Sequence, residues 1–162
     1  VPPAAHRVSL LLLPADLDAP GSVVVAALAA LRDAGFVGPG GAPGACPLVV
    51  GAFASARAEV FDGVRFASSG QGGFAARCPV DGTNVVAAFN GALPAWRAGG
   101  PRVLACGCGR EHDLADLRYL PAAGFARGWI ALVDVGGLDL TPEAHAALTT
   151  HLPGVRIVVR RG

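Results

Sequence analysis

Between Cys78 and His112 the chain places three of its four cysteines, one of its four histidines and an aspartate. They fall at the two ends of that stretch. Cys78-Pro79-Val80-Asp81-Gly82 opens it, and Cys106-Gly107-Cys108-Gly109-Arg110-Glu111-His112 closes it. Thiolate, imidazole and carboxylate are the side chains that bind borderline metal ions, and the glycines beside them permit tight turns. Any fold that uses this chemistry has to bring the two ends together across the residues between them. Those residues read as a helix over 85–96, with Thr83 or Asn84 as cap and Val85, Phe89 and Leu93 along one face. Pro94 is expected to end or kink it.

Composition limits what such a site can belong to. With 162 residues, 52% of them hydrophobic and 15% charged, the chain is expected to form a single domain, 1–162, with a substantial core. A net charge of +1 gives no basis for nucleic-acid or membrane-surface binding. All 13 basic residues are arginine and methionine is absent, a pattern of GC-rich bacterial coding, so no arginine marks a site by its identity alone. The dinucleotide fingerprint Gly-x-Gly-x-x-Gly is missing, and without lysine there is no phosphate loop. The apolar runs 8–13 and 23–31 are shorter than the ~20 residues that cross a bilayer. The chain begins at Val1, which suggests a processed, trimmed or alternatively initiated terminus, and neither run has the charged region and cleavage pattern expected of a signal peptide. The expected location is the cytoplasm, where cysteines serve as free thiols or ligands rather than disulfides.

In order, 7–13 reads as a buried strand and 23–34 as a helix capped by Ser22, apolar on more than one side and stopped by Gly35. Residues 38–47 read as a mobile loop, 48–53 as a short strand and 54–60 as a helical turn. The runs 64–68 and 73–78 suggest a hairpin about Ser69-Gly70-Gln71-Gly72. Residues 102–106 form a strand, 114–119 a short amphipathic piece and 121–128 a loop. The strongest unit is strand–helix–strand: 129–135, then a helix opened by Thr141-Pro142-Glu143, then 155–159. With the β-α pair at 7–34 this predicts an α+β sandwich of ferredoxin-like outline, with a small doubly wound α/β sheet as the alternative.

A zinc knuckle sets two ligands on a tight turn, usually Cys-x-x-Cys-Gly. Cys78 to Gly82 has that outline with Asp81 in the second ligand position. Cys108-Gly109 matches a second half whose first cysteine, Cys106, stands one place late. Over Cys78 to His112 the chain thus resembles zinc-ribbon-bearing small uncharacterised bacterial proteins, with both knuckles degenerate. The resemblance implies a knuckle–helix–knuckle insertion at 78–112. Its candidate ligands are Cys78, Asp81, Cys106, Cys108 and His112, its metal is zinc, and the site is structural or decayed. The functional expectation is a non-catalytic binding or assembly module acting through an unidentified protein partner or self-association, the latter by way of the 23–31 helix. The alternative is a thiol- or metal-dependent enzyme using Cys106 or Cys108, or a bound metal, with His112 as base; beside a catalytic zinc Glu111 or Asp113 would be the base, and a thiol triad would add Asp113 or Asp116. His6, His145, His151 and Cys46 read as bystanders.

Overall fold

The computed structural model describes residues 7–70 and 74–162; His6 and the Gln71-Gly72 tip of the expected hairpin lie outside them. In chain order the elements are β1 (Val8–Leu13), α1 (Gly21–Asp33), β2 (Ser55–Ala67), β3 (Ala75–Arg77), α2 (Val86–Arg97), β4 (Val103–Ala105), β5 (Glu111–Asp113), β6 (Arg118–Leu120), β7 (Gly124–Val133), α3 (Pro142–Thr149) and β8 (Arg156–Arg161). Short 3-10 turns occur at Pro39–Gly41 and Leu114–Asp116. The architecture is mixed α+β. Two compact units make it up: an outer one, Val1–Gly70 with Ala123–Gly162, and an inserted one, Gln71–Ala122. The expected insertion at 78–112 lies inside the second.

The outer unit is built on a four-stranded sheet of order β2-β7-β1-β8. Every pairing in it is antiparallel, which removes the doubly wound alternative and its parallel strands. The run Leu10 to Leu13 is buried throughout because β1 is flanked on both sides and covered on both faces. Period-two alternation sends Leu10 and Leu12 into a cluster with Val24, Leu28 and Leu31 of α1 and Leu148 of α3. Leu11 and Leu13 go to the opposite face with Trp129, Ala131 and Val158. There the Trp129 indole N–H donates to Glu59 at 3.3 Å and its ring meets Phe61 edge-on at 4.6 Å.

Several local expectations change here. Helix α1 buries Val24, Ala27, Leu28 and Leu31 but exposes Ser22, Val25, Ala26 and Ala29, so it is covered on one side only. Pro20, not Ser22, precedes its first turn. The 38–47 loop is pinned by backbone hydrogen bonds Gly38 N–H to Ala42, Gly44 N–H to Phe36 and Cys46 N–H to Gly35. Residues 48–53 contribute an isolated bridge, Val49 to Leu140, in place of a strand. Residues 54–60 are not helical, because Ala56, Ala58 and Val60 pair with Leu132, Ile130 and Gly128 of β7. Strand β7 starts at Gly124, inside the expected loop. A side chain at Gly128 would stand 2.9 Å from the Glu59 carbonyl, so glycine there permits the close approach of β2.

In the inserted unit β3 pairs with β6, and β4 with β5, both antiparallel. The expected 64–68/73–78 hairpin does not form: β2 takes β7 as partner and β3 takes β6. The 114–119 segment is a 3-10 turn followed by strand residues rather than one amphipathic piece. Asn84 accepts from Val86 N–H at the start of α2. Pro94 is tolerated within the helix, which runs on to Arg97, and Gly99 follows at φ +99°. Phe89 on α2 is buried and packs edge-on against Phe74 and Tyr119 at 5.5 Å each.

Candidate metal centre

The β4–β5 hairpin positions three of the expected ligands. Pairing of Leu104 with His112 and Ala105 with Glu111 leaves Cys106 to Arg110 as the connecting loop. That loop closes through Cys106 N–H to the Arg110 carbonyl and Gly109 N–H to the Cys106 carbonyl. Gly109 sits at φ +86°, a conformation glycine adopts without strain. Arg102 grips Asp113 across the base of the hairpin with two hydrogen bonds, 2.8 and 2.9 Å, and Asp113 also accepts from Ala115 N–H. The guanidinium is the first reason that the Asp113 carboxyl lies below its ordinary value. Sequence reasoning passed over this clamp, whose signal is an Arg and an Asp flanking the two ends of the ligand-bearing run.

Cys78 comes from the other ladder, one residue beyond β3. Its turn is closed by Cys78 N–H to the Thr83 carbonyl and Gly82 N–H to the Cys78 carbonyl, with Gly82 at φ +75°. Each turn aims an amide at its own sulfur two residues back: Val80 N–H to Cys78 Sγ at 3.4 Å and Cys108 N–H to Cys106 Sγ at 3.5 Å.

The donor atoms of Cys78, Cys106, Cys108 and His112 all lie within 4.8 Å of one another, close enough to hold a metal ion. His112 Nε2 is 3.4 Å from Cys78 Sγ and 3.3 Å from Cys108 Sγ. Around a tetrahedral zinc with bonds of ~2.3 Å to sulfur and ~2.0 Å to nitrogen, neighbouring donors stand about 3.5 Å apart. The spacing fits. Cys78 and His112 are buried, while Cys106 and Cys108 are partly exposed. Asp81, the fifth candidate, does not join the cluster: its carboxylate accepts from Thr83 N–H at 2.9 Å. That amide and the Thr83 hydroxyl hold its carboxyl below the ordinary value.

Crowding divides the thiols. Burial raises Cys78, but amides of Asp81 and Val80 and the Cys106 thiol outweigh it, and the net shift is downward. For Cys106 the Cys108 amide acts downward, yet burial and the neighbouring Cys108 and Cys78 sulfurs prevail and push it up to about 11. The crowding that raises Cys106 is one that a bound cation would offset.

No protein-family model, curated protein or solved structure matches this chain. The donor geometry therefore carries the chemical reading. Strand alternation turns Glu111 and Asp113 away from the face of β5 that carries His112, and Asp113 is taken by Arg102, so neither expected base addresses the cluster. Cys46 is exposed in the outer unit, as are His145 and His151. Among the described residues no helix is long and apolar enough to cross a membrane.

Proposed function

We propose that the inserted unit is a structural zinc module and that the protein is a non-catalytic binding or assembly module built around it. The carrying observation is the convergence of three thiols and one imidazole from the β4–β5 hairpin and the turn after β3. Cys3His is a closed donor set of the kind zinc takes in structural sites; a catalytic zinc keeps a position open. The succession β1-α1-β2-β7-α3-β8 and the antiparallel order β2-β7-β1-β8 support a ferredoxin-like sandwich for the outer unit. A cytoplasmic setting, which keeps thiols reduced, fits the same reading. The occupant of the binding surface is an unidentified protein or a second copy of this chain. For self-association α1 offers only Val25 and small residues, since its apolar stripe is used internally.

Elemental analysis of untagged protein purified without chelator tests the site. The expected content is about one zinc per chain, as a four-ligand site requires. Cys78→Ser should lower it sharply, and Cys46→Ser should leave it unchanged. Absence of metal from the unsubstituted protein would sink the reading. The 3.3 Å approach of Cys108 to His112 favours the enzyme alternative, as a thiol–imidazole pair. A fast-alkylating thiol in zinc-loaded Cys46→Ser protein, where the exposed bystander thiol is gone, would move the assignment there.

A further inference from the structure

We infer that the metal at Cys78, Cys106, Cys108 and His112 is what keeps the inserted unit folded, so that metal removal unfolds 74–122 while the outer unit keeps its structure. This rests on the metal reading above and adds the regulation of that site: metal supply decides whether the module exists.

Three observations carry the inference. First, the strands of the inserted unit are each three residues long, and its two ladders are separate two-stranded sheets. Isolated two-stranded ladders are marginal in water, and a segment of this size usually needs a metal or disulfide to hold it. Second, its buried apolar residues among those described are few: Ala76, Cys78, Phe89, Leu104, Leu114 and Leu117. One of these is itself a ligand. Both larger apolar clusters belong wholly to the outer unit. Third, the donors are divided unequally between the ladders. The β4–β5 hairpin supplies Cys106, Cys108 and His112, and Cys78 alone comes from the β3 side. Beside α2, which packs on both, a metal ion then ties the ladders directly to each other, and Cys78 is the residue through which it acts. When a metal binds only the folded form, its binding energy is folding energy.

Hydrogen exchange read by mass spectrometry on the full chain tests this, with zinc bound, after removal by a chelator under reducing conditions, and after zinc is returned. Backbone amides in 74–122 should exchange at least tenfold faster without zinc and recover when it is restored. Amides of β1, β7 and β8 should not change. In Cys78→Ser the same segment should exchange fast, and added zinc should not slow it even where the remaining three donors still take up metal. Bound zinc whose removal leaves 74–122 protected would overturn the inference while leaving the metal site standing. Loss of protection in β1 and β7 along with 74–122 would overturn its confinement to one unit. Purified protein without metal would overturn both readings at once.

Discussion

Cys106 shows most directly what a cation would do here. In the folded cluster without a cation, burial and its sulfur neighbours hold its thiol up to about 11, and in an unfolded segment its ordinary value would still keep the proton at neutral pH. A metal ion needs the thiolate, so binding has to expel that proton. At pH 7.5 in weak buffer, zinc addition should release at least one proton per ion, read with a pH indicator. For the Cys106 proton alone, affinity should rise about tenfold per pH unit, up to about 11 where the metal-free cluster stays folded and only up to the ordinary thiol value where the inserted unit unfolds without metal. Release of no proton would mean that the three thiols do not act together. At this scale the sequence showed which residue types were available and little of how they would be used. Asp81 stands in the ligand position of a knuckle, but the Thr83 amide two residues on captures its carboxylate. Cys106 looks one place out of register, yet the Cys106–Arg110 turn brings it to the same point as Cys108.

Elements whose signals are local were legible, and those defined by distant partners were not. Helix α3 starts where Thr141-Pro142-Glu143 says it should: the Thr141 hydroxyl accepts from Ala144 N–H and donates to the Pro47 carbonyl at 2.7 Å. Thr141→Ala removes both bonds and should destabilise the protein by about 1–2 kcal/mol, lowering its melting temperature by several degrees. A melting temperature within one degree of the parent would show that the cap contributes nothing. Strand β2 had no such local cue. Its small and charged residues suit a helical turn as well as an edge strand, and the partner that decides between them is about 70 residues along, as Glu59 and Trp129 illustrate. The β3–β6 pairing was hidden for the same reason, since α2 and the β4–β5 hairpin intervene.

For the molecule as a whole, the large apolar clusters and the metal donors lie in different units. Leu12→Ala, in the middle of the sheet, should cost about 2–5 kcal/mol by emptying a packed site. Zinc affinity should stay within about twofold, as expected for sites that share no partners. Denaturant unfolding and a competitive zinc titration measure the two separately, and a large loss of affinity would reveal coupling between the units. The α+β class was visible in the alternation of elements, whereas the point of insertion was not. That point has a genetic consequence. Ala67 faces Gly124 across the β2–β7 ladder, so the chain leaves the sheet and returns to it at a single rung. Splicing Gly70 directly to Ala123 would leave Ser68, Ser69, Gly70 and Ala123 as a four-residue hairpin loop, a common length. The gene thus carries its cysteine-rich segment as a cassette, one that two cuts can lift out or exchange without rewiring the strands on either side.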